Sequence, residues 1–103
     1  MPRFRKEIPI DDYVINVLMR DLVGHDRQPA ACLVYLCLYG QAARNKWKPV
    51  PASLRRLAEM TGLSKSAVQT ALERLRGREL IVTVSEHSTA LPRHRVLRHW
   101  RAR

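Results

Sequence analysis

Apolar residues recur at helical spacing over residues 11–22, and an acidic pair stands at the start of this stretch, where a helix dipole favours negative charge. The same stretch is rich in β-branched residues between positions 13 and 18, which also suit a strand. The spacing favours a helix that stops near Gly24, with a strand as the alternative.

The next stretch, residues 29–43, begins with proline and is apolar on almost every face. Proline fits the first position of a helix, and a helix that is hydrophobic all round lies at the centre of a core. Cys32 and Cys37 point about 140° apart on such a helix, which suits neither a disulfide nor a shared metal ion. We therefore expect both cysteines to be free and packed as small apolar side chains.

The most informative pattern spans residues 53–77, where two short amphipathic stretches flank a glycine. Ser53 and Ser64 each stand where a helix needs an N-cap, and Gly62 supplies the backbone freedom that a tight turn between crossing helices requires. Leu63 is the apolar residue expected to hold that turn against the core. The second helix is expected to bury the stripe Val68, Ala71, Leu72 and Leu75. Residues 53–77 are therefore predicted to form a helix-turn-helix.

A β-branched run at residues 80–84 and a second apolar segment at residues 95–97 follow this pattern. Between them lies a polar sequence with one proline, which is typical of an exposed loop. The two segments predict a β-hairpin over residues 80–97. Together with the helices, they give a fold class that is mainly α with a small β-hairpin.

Charge changes the interpretation of these elements. The 103 residues include 19 Lys and Arg against 9 Asp and Glu, a net charge of +10 with His neutral. Such an excess draws a protein toward polyanions, and nucleic acid is the default partner. Aromatic residues are too few for a stacking platform of the kind that binds single strands. Double-stranded DNA is therefore the expected partner.

The exposed side of residues 64–77 has short hydrogen-bonding side chains and one cation at its N-terminal end, the composition of a helix that reads base edges in the major groove. The residues predicted to contact DNA bases are Lys65, Ser66, Gln69 and Thr70. The residues predicted to contact DNA phosphates are Ser53, Arg55, Arg56, Arg74, Arg93 and Arg95, with His94 on the same hairpin surface. The alternative is a solvated face on a structural helix, and a hairpin whose arginines only keep it soluble.

The C-terminal residues concentrate charge around one aromatic side chain, Trp100. Trp100 is expected to close the edge of the core or to join a partner subunit. The nearby Arg98, Arg101 and Arg103 either follow phosphates or form a solvated tail.

The sequence LAEMTGLSKSAVQTALERL, followed by Leu-Ile-Val at 80–82, resembles the winged helix-turn-helix regulators of bacteria and archaea, in the MarR-like and GntR-like group. The resemblance covers about residues 28–97, with residues 53–82 as its specific part. It implies a winged helix-turn-helix whose hairpin, the wing, reaches the phosphate backbone or the minor groove. Such proteins often have glycine just before the leucine that opens the wing strand. This chain has Glu79 there and Gly77 two residues earlier, which leaves the end of the recognition helix open.

Motifs of catalysis are absent from the sequence. It contains no phosphate-binding glycine loop, zinc-ligand spacing or nucleophile motif, so we expect no enzyme activity, catalytic residue, metal, cofactor or small-molecule ligand. No segment reaches the roughly 18 apolar residues of a membrane span, and no secretory leader is visible. The expected location is the cytoplasm, in association with the nucleoid.

The length suits one compact domain. We interpret residues 1–9 as a flexible basic arm and residues 10–103 as a single domain. The hypothesis is a homodimeric transcription regulator that binds duplex DNA sequence-specifically, with residues 11–22 and the surroundings of Trp100 as candidate dimer surfaces. Two alternatives remain open: a replication initiator or nucleoid-type DNA binder, and a winged-helix module that binds protein or RNA.

Overall fold

The protein is described by a computed structural model over residues 7–87 and 90–101. Most of the arm predicted at residues 1–9 lies outside this part of the chain, as does Arg103. The described residues are mainly helical and include a small three-stranded antiparallel sheet, as the coarse fold class predicts. Within them, no helix combines the length and the apolar character needed to cross a membrane.

The N-terminal segment is helical, which confirms the helix and excludes the strand for residues 11–22. Backbone bonds of the π-helical type run through Val14–Leu18 and Asp21–His25. The buried residues of this segment are Val14, Leu18 and Leu22. The segment ends at His25, one residue beyond the predicted stop near Gly24, but Gly24 does not take the left-handed conformation, which Arg27 adopts instead at φ 55°.

Helix α1 (Pro29–Arg44) is the centre of the core, as its all-round apolar pattern predicts. It contacts the N-terminal segment, both later helices and the sheet. The buried Tyr35 hydroxyl donates to the Leu97 carbonyl over 3.0 Å, which ties α1 to the end of the hairpin. Cys32 is buried and Cys37 half-buried, both are free as expected, and burial raises the pKa of both thiols.

Helix α2 (Leu54–Thr61) and helix α3 (Lys65–Gly77) form the pair predicted over residues 53–77. The Ser53 and Ser64 side-chain oxygens cap them, each accepting the backbone N–H three residues later, at 3.0 and 3.1 Å. Gly62 lies between the helices in the left-handed conformation, at φ 81°. The buried stripe of α3 is the predicted one: Val68, Ala71, Leu72 and Leu75.

The sheet contains the predicted hairpin and one strand that the sequence pattern missed. Strands β2 (Ile81–Val84) and β3 (Arg93–Val96) pair antiparallel, with Ile81 opposite Val96. The short strand β1 (Val50–Pro51) pairs with the other side of β3, which gives the order β1-β3-β2. One face of the hairpin packs on the helical core, and the other face is exposed.

The end of α3, which the sequence left open, is fixed by a Schellman motif. The N–H of Glu79 bonds to the Arg76 carbonyl over 3.0 Å, and the N–H of Leu80 bonds to the Leu75 carbonyl over 2.9 Å. Glu79 takes the left-handed conformation that this motif requires, at φ 58°. The helix therefore ends at Gly77, and Glu79 holds the position at which the regulators that the sequence resembles often have glycine.

The C-terminal residues fold back on the N-terminal segment. Trp100 stacks on Tyr13 with ring centroids 4.7 Å apart, and its indole N–H donates to Asp11 over 2.8 Å. Arg101 forms a two-bond ion pair with the same carboxylate, at 2.7 and 2.8 Å. The Arg98 guanidinium carbon lies 3.5 Å from the centroid of the Trp47 ring, at the edge of the core. Trp100 thus has the expected role at the core edge, and both arginines are held by intramolecular partners instead of forming a solvated tail.

Candidate nucleic-acid interface

The turn between α2 and α3 is held by a threonine that the sequence analysis did not single out. The Thr61 hydroxyl donates to the Leu57 carbonyl over 2.7 Å and accepts the N–H of Leu63 over 3.2 Å. Leu63 is partly buried and packs against the core, as its apolar character predicts. Because both helices are capped and the turn is bonded internally, α3 has a fixed orientation on α2.

The four predicted base-contacting residues all lie on the exposed side of α3, opposite its buried stripe. They are Lys65, Ser66, Gln69 and Thr70. Lys65 has no carboxylate partner within residues 7–87 and 90–101, and the Ser66 hydroxyl lies 3.3 Å from that of the N-cap, Ser64. The first two turns of α3 therefore present donors and acceptors to solvent.

Three predicted phosphate-contacting residues lie at the start of α2. Ser53 is the half-buried cap, and Arg55 and Arg56 are exposed. Both arginines share the carboxylate of Glu59, with N–O distances of 3.4 and 3.9 Å. Exposed pairs of this kind contribute at most about 1 kcal/mol, so a stronger anion can replace Glu59.

Arg74 and Arg76 lie on opposite sides of the exposed face of α3, because side chains two residues apart on a helix point about 160° away from each other. Arg74 approaches Asp26 to 4.0 Å, on the side of the loop before α1. Arg76 faces the hairpin and donates to the Thr83 hydroxyl over 3.1 Å. Of the two, only Arg74 was predicted to contact phosphate, and it is the one nearer a carboxylate.

Asp26 anchors the C-terminal end of α3. Its side chain is only 4% exposed and accepts two bonds from Arg78, at 2.7 and 2.8 Å. The Arg78 guanidinium, with a further bond from His25, holds the pKa of Asp26 well below its usual range. A carboxylate this buried requires such a partner, and the pair fixes α3 against the loop after the N-terminal segment.

The two hairpin arginines lie on the outer face of the sheet. Arg93 and Arg95 are exposed, and neither side chain has an ion pair or hydrogen bond among the residues that the structure describes. Val82 and Val84 share this face, since they stand opposite the arginines in the β2–β3 register. The face also borders a cleft of about 350 Å³, which is lined by apolar side chains and by Glu86 as well as the two arginines. It is a cationic surface with apolar surroundings.

His94 is not part of that surface, contrary to the interpretation from sequence. Its side chain is buried, because residues in a strand alternate between faces and the two neighbouring arginines point outward. Its Nε2 lies 3.1 Å from the Ala52 carbonyl, and its Nδ1 lies 3.0 Å from the Thr83 hydroxyl. Burial lowers the pKa of His94 below its usual 6.5, and the charge of Arg76 acts in the same direction, while the bond to Ala52 opposes them.

A cleft of about 190 Å³ separates α3 from the hairpin. Gln69 and Arg76 line it from the helix, and Thr83, Pro92 and His94 line it from the sheet. Of these residues, Gln69 was predicted to contact a base, and His94 was predicted to lie on the phosphate-contacting surface of the hairpin. The sequence Arg-His-Arg-Val alternates between the two faces of a strand, and this alternation predicts a buried histidine. The approach of Arg76 to the hairpin has no comparable signal in the local sequence.

No group of three side chains suited to a metal ion occurs within the described ranges. Comparison of the chain with protein-family models, with curated proteins and with solved structures gives no match.

Proposed function

We propose that the chain is a winged helix-turn-helix protein that binds duplex DNA sequence-specifically and regulates transcription. The observation that carries this proposal is the exposed polar face of α3, held beside a hairpin by a capped two-helix turn. At 13 residues, α3 is about 20 Å long and fits the major groove, which is about 12 Å wide. The excess of positive charge supports a polyanionic partner.

In this proposal the N-terminal half of α3 reads base edges. The Gln69 amide suits adenine, whose major-groove edge offers one acceptor and one donor, and the Lys65 ammonium suits the two acceptors of guanine. Arg55 and Arg56 bind phosphates beside the groove, since the first helix of such a motif crosses the backbone. Arg93 and Arg95 give the hairpin two cations for the phosphates next to it.

The proposal includes a homodimer. Ile15, Met19 and Val23 are spaced four residues apart on the N-terminal segment and are exposed to 44%, 41% and 41%. Trp100, the other candidate dimer residue, is already stacked within its own subunit. The Ile15, Met19 and Val23 stripe is therefore the surface that we assign to the partner copy. A two-fold axis there would present two α3 helices to half-sites about 34 Å apart.

A titration with random-sequence duplex tests the DNA partner. We expect binding at about 50 mM salt, with a log–log salt slope near −5 if five or six cations contact phosphates. A chain that does not bind duplex under these conditions contradicts the proposal and favours the protein-binding or RNA-binding module.

Selection of bound fragments from a random duplex library then tests the regulatory role. A regulator enriches one consensus, and its genomic matches lie at promoters. Matches confined to a replication origin would identify an initiator, and the lack of any consensus would identify a nucleoid-type binder.

A further inference from the structure

We propose that the cleft between α3 and the hairpin is a phosphate site for the DNA backbone, in which Arg76 is the contacting cation and Thr83 and His94 are positioning residues. This inference rests on the proposed function, because the phosphate belongs to the duplex that α3 reads. It adds a contact that the sequence pattern does not indicate.

The position of the cleft suits one strand of a duplex. Gln69, assigned to base reading, lines the same cleft as Arg76, two turns further along α3. Pro92 and Thr83 form the opposite wall, which belongs to the hairpin. A strand whose base meets Gln69 therefore has its sugar and phosphate close to this opening, with apolar wall for the sugar and a guanidinium for the phosphate.

The hydrogen bonds behind Arg76 have a fixed direction. The Ala52 carbonyl only accepts, so His94 donates to it from Nε2 and, in its neutral form, leaves Nδ1 as an acceptor. The Thr83 hydroxyl must then donate to Nδ1 over 3.0 Å, and its oxygen accepts the N–H of Arg76 over 3.1 Å. We call this chain of hydrogen bonds from Arg76 through Thr83 to His94 the relay, and in it each group donates where its neighbour can only accept.

This relay orients a cation without neutralising it. Arg78 forms a two-bond pair with Asp26, and Arg74 approaches the same carboxylate. Arg76 instead bonds a neutral hydroxyl and has no carboxylate partner among the described residues. Four of its five N–H donors stay available, and a guanidinium held in place loses less entropy on binding phosphate than a free one.

A double-mutant cycle on DNA affinity tests the inference. Arg76→Ala should raise Kd for random duplex about 5-fold and reduce the magnitude of the salt slope by about 1. Thr83→Val, which keeps the shape but removes the hydroxyl, should raise Kd about 3-fold, because Arg76 is no longer held. In the Arg76→Ala background, Thr83→Val should change nothing further.

Val84→Thr is the matched control, since it exchanges the same two residue types one position along β2, on the outer face. Thermal unfolding of every variant identifies any that fail to fold, and the cycle can be repeated with Thr83→Ser, which keeps the hydroxyl and should bind as the wild type does. If Thr83→Val lowers DNA affinity equally in the wild-type and Arg76→Ala backgrounds, Thr83 has only a structural role and the inference is overturned. An unchanged Kd or slope for Arg76→Ala would also overturn it, whereas wild-type protein that binds no duplex would refute the proposed function itself.

Discussion

Asp11 joins the N-terminal segment to the C-terminal residues through three side-chain bonds. Its carboxylate accepts from Trp100 and twice from Arg101, and the first of these partners is itself stacked on Tyr13. The Arg101 bonds are the main reason why the pKa of Asp11 falls from 3.8 to about 2, against the opposing effect of burial. The charged carboxylate therefore stabilises the folded state.

Asp11→Asn should lower the free energy of unfolding at pH 7 by about 1 to 2 kcal/mol, a figure reduced for screening because the Arg101 side chain is 57% exposed. A folded pKa below the unfolded one means that this stabilisation is complete above pH 3.8 and is lost as the pH falls through about 2. Denaturant unfolding between pH 7 and pH 2 should show the two proteins converging in acid.

Asp12→Asn is the matched control, because Asp12 is exposed and its side chain bonds, within the described part of the chain, only its helical neighbour Asn16. Its effect should stay within about 0.5 kcal/mol. A gap between wild type and Asp11→Asn that does not narrow in acid would contradict the assigned role of the Asp11 charge.

The sequence predicts single residues well where a local rule decides their environment. Both serine caps, Gly62 and the buried stripe of α3 follow from spacing and backbone chemistry, and they are confirmed. No local rule predicts the environment of Asp11 or Asp26, because their arginine partners lie 90 and 52 residues away along the chain. The prediction that His94 lies on the exposed hairpin surface is wrong, because it followed the charge of the neighbouring arginines and not the alternation of faces along a strand.

At the scale of elements, the end of α3 contains a residue under backbone strain. Glu79 adopts φ 58°, which glycine tolerates far better than a residue with a side chain. The Schellman motif requires that conformation, since it turns the chain from α3 into β2. The Glu79 side chain is exposed and has no ion pair among the described residues to offset the strain.

Glu79→Gly should therefore raise the free energy of unfolding by about 0.5 to 1 kcal/mol, the relief of strain exceeding the added freedom of the unfolded chain. Glu73→Gly provides the same substitution inside α3, where it should lower stability by about 1 kcal/mol. Thermal or denaturant unfolding measures both. Destabilisation by both variants would show that the Glu79 backbone is not strained.

The elements themselves differ in how far the sequence predicts them. The three α-helices and the hairpin have strong periodicity or turn signals, and all are confirmed. The π-type bonding of Val14–Leu18 has no distinct signal, since a spacing of four residues suits either helix type. Strand β1 (Val50–Pro51) has two residues, too few for an alternating pattern, and exists because β3 offers it an edge.

At the scale of the molecule, two of the acidic side chains hold arginines in ion pairs away from the N-terminal half of α3. Asp11 and Asp26 hold Arg101 and Arg78 in ion pairs. The excess positive charge therefore lies on cations that have no carboxylate partner in the described ranges, among them Lys65, Arg93 and Arg95. Lys65 lies on the exposed face of α3, and the two arginines lie on the outer face of the hairpin, the surfaces to which the proposed function assigns DNA contacts.

Self-association through the N-terminal segment is also a property of the whole molecule. Met19→Glu places a charge at the centre of the exposed Ile15, Met19 and Val23 stripe and should convert a dimer into a monomer in sedimentation experiments. Leu91→Glu is the control, because it changes another exposed apolar residue, which lies on the hairpin and outside the stripe. Wild-type protein that sediments as a monomer at micromolar concentrations, alone and on DNA, would contradict the assigned dimer.

The central claim is that the exposed polar face of α3 reads base edges, and the most direct test compares two variants on two duplexes. Gln69→Ala should weaken binding to the selected consensus about 5- to 150-fold, or about 1–3 kcal/mol, and leave binding to random duplex nearly unchanged. Arg56→Ala, the backbone control, should weaken both alike. Equal losses of affinity on consensus and random duplex for Gln69→Ala would contradict the claim.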